Sequence, residues 1–430
     1  MLRLPASELI SIETIHSAFK ITRKADEQYV PPGRLRQFDL IVFDEGSQIE
    51  NHVWQQIKTA CAELSNGPFI VFVADFQQLQ PISGDHRLKA DLERTVASGG
   101  LEHIELLHHE AARSNDPQLL EFLTHVRAHQ PSRERLTAFF ANRILPKDIP
   151  TAVEKTWLWE QRSGRTFTFL TVTNKAAHDI NMQRLKVEFP SAHAGLESRG
   201  VPGDEKAGAQ LLVFAEGMRV RLTRNIDKGR GFVNGALGVI TTVLSRGVFV
   251  MRAITGMMIL VHPVCVDGKT FMPVTYAYAM TIRRAQGSTL DTIGLRFDRK
   301  RADRGYGYVG ASRVRKATDV CLVGSIRRTD WRPVGTDPDG EQEYPGPMSD
   351  SSDDEQPESE SERPDESSDR DRSSDDGGDA DDGSDVDSRS GEEDEDGGAF
   401  AGFDIGVESC DVVVGGGAEF FIDDAAGLDQ

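Results

Sequence analysis

Along residues 1–330 the apolar positions switch between two periods. Phe38–Phe43 (FDLIVF) and Phe69–Val73 (FIVFV) are short, nearly continuous apolar runs, the pattern of parallel strands buried on both faces. Between them, His52–Leu64 has helical spacing. Asp116–Arg127 (DPQLLEFLTHVR) predicts an amphipathic helix with Asp116 as N-cap and Pro117 as its first residue. Thr166–Thr173 (TFTFLTVT) returns to strand and Lys175–Leu185 to helix. This alternation is the α/β signature. Residues 218–282 interrupt it: MRVRLTR, LGVITTV, GVFVMRA and MILVHPV follow one another with turn residues between them, which predicts a small antiparallel sheet or barrel. The α/β pattern resumes with a strand at Thr292–Phe297, a helix near Tyr308–Arg315 and a strand at Asp319–Val323.

Charge divides the chain where the pattern stops. Residues 331–430 hold 34 Asp and Glu against 5 Arg, a net −29. The remaining 35 acidic and 44 basic residues give residues 1–330 a net +9, so the overall −20 belongs to the tail. A basic body suits a polyanionic partner. From about Thr329 the sequence is Ser, Asp, Glu, Gly and Pro with few aromatics; ~60 residues of it cannot bury enough apolar surface to offset the entropy of ordering, and are expected to be disordered. The final stretch, GAFAGFDIGVESCDVVVGGGAEFFIDD, reads as an unstructured end, with a short binding segment as the alternative. Cys61, Cys265, Cys321 and Cys410 are far apart, with no CxxC pair, which argues against zinc and for reduced thiols in an intracellular protein. No 18-residue apolar run predicts a membrane span.

The sharpest local signal is LIVFDEGSQI, Leu40–Ile49, where an apolar strand ends in two adjacent carboxylates. Ligands bind α/β sheets at this carboxyl edge. In a nucleotide-driven motor Asp44 would hold Mg²⁺ through water and Glu45 would orient and deprotonate the attacking water. The competing reading is a solvated turn after a strand. A second buried strand leads into Asp75 and Gln78 (FIVFVADFQQLQPI), and a glutamine there can sense a γ-phosphate. The two strand ends suit neighbouring strands joined by one helix.

With what surrounds them, these segments resemble the Pif/RecD-like branch of superfamily one DNA helicases. TIHSAF (Thr14–Phe19) resembles motif Ia, DEGSQI motif II (DExSM) and ADFQQLQPI motif III (GDFxQLPP). LLHHEAARSNDPQLLEFLTHVR resembles motif IV, with Arg113 in the arginine position. TVTNKAAHDIN resembles TNxxAxxIN, and GMRVRLTRNIDKGRGFVNGALGVI resembles the segment that begins GxxVMLxxN and ends NGxxGxV. YAYAMTIRRAQGSTLD resembles AYAxTIHKSQGxTLD, and GYGYVGASRVR resembles GQAYVALSRVR. Eight elements stand in the family's order across about residues 11–325.

The resemblance implies two RecA-like lobes that sandwich ATP with Mg²⁺. A partial first lobe would occupy residues 1–105 and the second 106–235 and 273–330, with an SH3-like insert at 236–272 and a disordered acidic tail at 331–430. By motif position Arg113 and Arg313 would reach the γ-phosphate, while Gln78 and Gln286 would couple nucleotide to DNA. Thr14, His16, Thr281, Arg283 and Arg284 would contact single-stranded DNA. Phe232, Phe249 and Phe271 could stack bases, although core packing suits them better. The implied activity is 5′-to-3′ translocation on single-stranded DNA and unwinding at duplex junctions, in repair, recombination and telomere maintenance, in the nucleus or mitochondrion of a eukaryote.

The family's GxxGTGKS loop has no counterpart among the thirteen residues before Thr14, and Gly268–Thr270, the one Gly-Lys-Thr, has Pro263 where the first loop glycine should be. Ala74, Gln80 and Gln48 replace the usual Gly, Pro and Met. Arg283-Arg284-Ala285 replaces His-Lys-Ser, and the ALSR core reads Gly310-Ala311-Ser312-Arg313. The surviving carboxylates and arginines fit a recent N-terminal truncation, or a gene model missing 5′ exons, better than long decay, and impaired catalysis in this chain is the expectation. The alternative is a non-catalytic nucleic-acid-binding remnant. For the tail, a solvating role stands beside occupation of the chain's own DNA groove or recruitment of basic partners.

Overall fold

The computed structural model describes residues 10–21, 29–64, 67–81, 87–105, 113–207, 210–300, 302–335 and 411–415. The disorder expected of residues 336–410 and 416–430 lies outside the described residues, as does the part of motif IV at 106–112.

The first parallel pair forms as the apolar runs predict. Leu40–Phe43 and Phe69–Phe72 lie side by side, Leu40 opposite Phe69 and Phe43 opposite Phe72. The helix Asn51–Glu63 connects them and buries Val53, Trp54, Ile57 and Ala60 at three-to-four-residue spacing. Phe43 and Phe72 stack at 4.7 Å and Trp54 meets Phe72 edge-on. Burial on both faces is not what forms, however. Phe69, Val71 and Val73 are exposed, Phe69 by 81 %, because their strand is the sheet edge and helices cover the other face. On the far side Ile10–Thr14 joins only through Asp411–Gly415, which pairs antiparallel with it and with Leu40–Phe43. The DVVVG run, five residues of the stretch read as an unstructured end, therefore forms a strand; the rest of that stretch lies outside the described residues. β-branched residues favour extended backbone, and two open ladders meet it there.

The second sheet is wholly parallel, in the order Ala279–Thr281, Phe167–Thr171, Thr292–Arg296, Val320–Val323, Ile144–Leu145. Period-two alternation divides its faces. Phe167 and Phe169 pack with Ala152, Val153, Ala177 and Ile180, whereas Leu170, Leu295 and Leu322 pack with Leu119, Phe122, Leu123 and Val126. Asp116 caps the helix Pro117–Ala128 through the amides of Gln118 and Leu119, with proline at the start. Thr173 caps Asn174–Glu188. Asn181 from that helix accepts from the Tyr278 and Ala279 amides at 3.0 and 2.9 Å, pinning the edge strand. The helix expected near Tyr308–Arg315 runs Tyr306–Ala311 and stops at Ser312.

The antiparallel sheet follows the order Met258–Val261, Val248–Ala253, Leu237–Ser245, Arg219–Leu222, Val274–Tyr276. It draws strands from both sides of residues 236–272. Phe232, Phe249 and Phe271 are buried, so they are core rather than stacking platforms. Gly268 is the turn of the hairpin Val264–Val266/Lys269–Phe271, which removes it as a phosphate loop. The body also runs past residue 330, where the tail was expected to begin. Trp331 is buried against Phe122, Phe140 and Phe297; a composition count averages one tryptophan away among the acids that follow. Among the described residues no helix is long and apolar enough to cross a membrane.

Candidate active site

Two carboxylates, a glutamine and an arginine converge where the two lobes face each other. Asp44 and Glu45 follow directly on Leu40–Phe43. Glu45 takes a left-handed backbone conformation (φ 51°) and its amide donates to Asp44 Oδ1 at 3.0 Å. Glu45 Oε2 accepts from Gln286 Nε2 at 3.1 Å, a contact that crosses the cleft. Arg113 donates to the Ser288 carbonyl and, at 3.1 Å, to Thr289 Oγ1. It touches solvent, yet the surrounding protein mass draws its guanidinium below the usual arginine range, against the pull of the Glu45 charge. Gln78 Oε1 and Gln286 Oε1 are buried without partners. An orphaned Gln286 carbonyl on a side chain that holds Glu45 suits a hydrogen-bond donor such as water better than a phosphate.

A second cross-cleft group lies beside the first. Asp75 accepts from Gln78 Nε2 at 3.1 Å and forms an ion pair with Arg127. Arg127 also donates to the Tyr308 hydroxyl at 3.1 Å, whose burial raises its pKa. Leu79, 1 % exposed, belongs to the second lobe's core cluster. Gln48 Nε2 donates to the Leu79 carbonyl at 2.5 Å and Arg283 Nη1 to the Gln80 carbonyl at 2.8 Å. The residues after Asp75 are thus held from both sides. Sequence reading does not reveal Arg127 or Tyr308. The available signal was an arginine one turn after Leu123, in line with the buried stripe of its helix.

The other expected site residues are held by their own neighbours. Arg313, 2 % exposed, donates to Val309 O at 2.8 Å, Ser312 Oγ at 2.6 Å and Ala285 O at 3.5 Å. Its guanidinium serves its own helix and the turn beside it. Thr281 is buried, and its Oγ1 accepts from the Arg284 amide at 3.3 Å. Thr14 caps the short helix Ile15–Phe19, which carries His16. Among the described residues no group of three His, Cys, Asp or Glu could hold a metal. The donors at Asp44 and Glu45 are hard carboxylate oxygens, and one or two of these with phosphate and water are what Mg²⁺ requires.

No family model matches the chain. It is 26 % identical to the ATP-dependent DNA helicase Pif1 of Bdellovibrio bacteriovorus over 328 residues, 70 % of this chain and 68 % of that protein. It is 34 % identical to human ATP-dependent DNA helicase PIF1 over 118 residues, 25 % of this chain and 18 % of that one. The fold matches a structure of two coordinating Pif1 helicases at forked dsDNA with a TM-score of 0.50 and 19 % identity, over 73 % of this chain and 78 % of that one. Two RecA-like sheets with a small antiparallel insert are the fold it shares with that helicase structure. In sequence and in fold the chain is Pif1-like.

Proposed function

We propose that the chain is the strand-holding and nucleotide-coupling part of an ATP-dependent DNA helicase. The observation that carries this reading is the contact of Glu45 with Gln286 across the cleft, with Arg113 beside it. Gln286 holds the Glu45 carboxylate in place across the cleft, and the carboxylate takes a proton from a water. The orphaned carbonyl of Gln286 can orient that water. Arg113 supplies positive charge where phosphoryl transfer develops negative charge. Asp44 would hold Mg²⁺ through water, and the bound ion would neutralise phosphate oxygens. Thr14, His16, Arg283 and Arg284 are assigned to the DNA strand. Thr281 shapes the turn that presents Arg284. Arg313 is assigned to the nucleotide only after release from its present carbonyl partners. Translocation 5′ to 3′, unwinding at duplex junctions, and work in repair, recombination and telomere maintenance in the nucleus or mitochondrion complete the reading.

A second reading has its own observation. GxxGTGKS does not occur in the 430 residues, and its backbone nest and lysine are what cradle ATP phosphates. A polypeptide of these residues alone is therefore expected to bind DNA while turning ATP over slowly. The experiment is ATP turnover with and without single-stranded DNA, for the wild type and Glu45→Gln. Loss of a general base lowers turnover by about 10²-fold or more. Equal turnover in both proteins would sink the assignment of Glu45. DNA affinity that ignores ATP would leave the non-catalytic binding reading.

A further inference from the structure

Away from the interlobe cleft, one strand carries an arginine that the protein itself does not satisfy. Arg219, Arg221 and Arg224 follow one another along the antiparallel sheet. Arg219 pairs with Glu160 at 3.0 Å and lies over Tyr278, and Arg224 pairs with Asp204 at 2.9 Å. Arg221, 8 % exposed, has neither a carboxylate nor a hydrogen-bond partner for its guanidinium among the described residues. Burial pushes its pKa down to about 10, and the charge of Arg284 adds to the push. Both arginines line a small open cleft with Asn174, His178, Asn181 and Gln210, and among the described residues no Asp or Glu lines it. His178 Nδ1 is buried without a partner. A desolvated guanidinium is strongly unfavourable unless an anion compensates it. In the family pattern the position of Arg221 is the methionine of VML, so this charge is a departure of this chain.

We propose that the cleft binds one phosphate group, through Arg221 at its floor and Arg284 beside it, and that the phosphate is a phosphodiester of single-stranded DNA. The planar guanidinium fork matches a pair of phosphate oxygens. The imidazole of His178 and the amide of Gln210 supply further donors. The choice of a DNA strand rests on the helicase reading above, since Arg284 sits in the segment assigned to DNA.

The test uses the full chain. Anisotropy of a labelled oligodeoxythymidine over a salt series is compared for the wild type and Arg221→Met, and each protein is melted with and without millimolar inorganic phosphate. The variant should bind DNA about tenfold more weakly, and its slope of log affinity against log salt should flatten by about 0.7, the value for one single-strand phosphate. Phosphate should raise the melting temperature of the wild type and not of the variant. An equal phosphate response in both proteins overturns the site. A response lost in the variant with unchanged DNA affinity and slope overturns the assignment to DNA, leaving a free phosphate or nucleotide as ligand. An Arg221-dependent phosphate response in a wild type that binds no oligonucleotide fails the helicase reading while the anion site stands. Should Arg221→Met not fold, phosphate must still shield Arg221 of the wild type from phenylglyoxal, read by mass spectrometry; an unshielded Arg221 overturns the proposal.

Discussion

The two parallel sheets were built from similar-looking sequence and ended in different states. In the second, Phe167–Thr171 is buried along its whole length, with helices on both faces and parallel neighbours on both sides. In the first, Phe69–Phe72 is as apolar but alternates exposed and half-buried positions at a bare edge. The sheet reaches its other edge only through a strand from beyond residue 410. An apolar run thus reports the tendency to be a strand and not the number of neighbours it will have. The second sheet gathers its strands from within residues 144–323, while the first takes one from beyond residue 410.

The sharpest way to break this contrast is at the centre of the second sheet. Phe169→Ala should cost about 3–5 kcal/mol by transfer and cavity terms, read by denaturant unfolding. In the first sheet, Val413→Pro removes a backbone donor from a strand paired on both sides. It should cost about 2–3 kcal/mol and shift the fluorescence transition of Trp54, which lies in the first lobe. An unmoved Trp54 transition would mean that the tail strand contributes nothing to this lobe. Between the lobes, Arg127→Met should cost about 1 kcal/mol, since Asp75 and Arg127 are both partly solvated. It should also lengthen the distance between dyes placed one on each lobe.

A pH series sharpens the comparison further. Hydrogen bonding to Arg34 is the largest cause holding the Glu13 pKa at about 2, below its usual 4.5. A depressed folded-state value means that the stability is fully present above pH 4.5 and is lost as pH falls toward 2. The Trp54 transition should weaken over that window in the wild type and stay flatter in Glu13→Gln. The smallest effect belongs to Phe69→Ser at the bare edge, within about 0.5 kcal/mol. A cost comparable to Phe169→Ala would show that another surface covers Phe69 in solution.

Much of the candidate site was legible because its signals are local. The strand that ends in Asp44 and Glu45, its parallel neighbour ending near Asp75, and the cap at Asp116 each need only a few consecutive residues. The partners across the cleft were not legible. Glu45 with Gln286 and Asp75 with Arg127 are set by how two sheets face each other, which no periodicity encodes. Arg221 was hidden because an alternating strand gives no sign of which positive charge will lack a carboxylate. Arg313 keeps its place in the sequence motif, but its buried helix offered nearer carbonyl acceptors.

Leu79 has a mechanical consequence. It is attached to the first lobe by its chain and buried in the core of the second, so the lobes cannot part as rigid bodies without withdrawing this peg. Exposing one leucine costs about 2 kcal/mol, and the contacts of Asp75 with Arg127 and of Glu45 with Gln286 add to that cost. The hinge is therefore biased closed yet within thermal reach. Any ligand that favours the open form by a few kilocalories can work it, with no need to unfold either lobe.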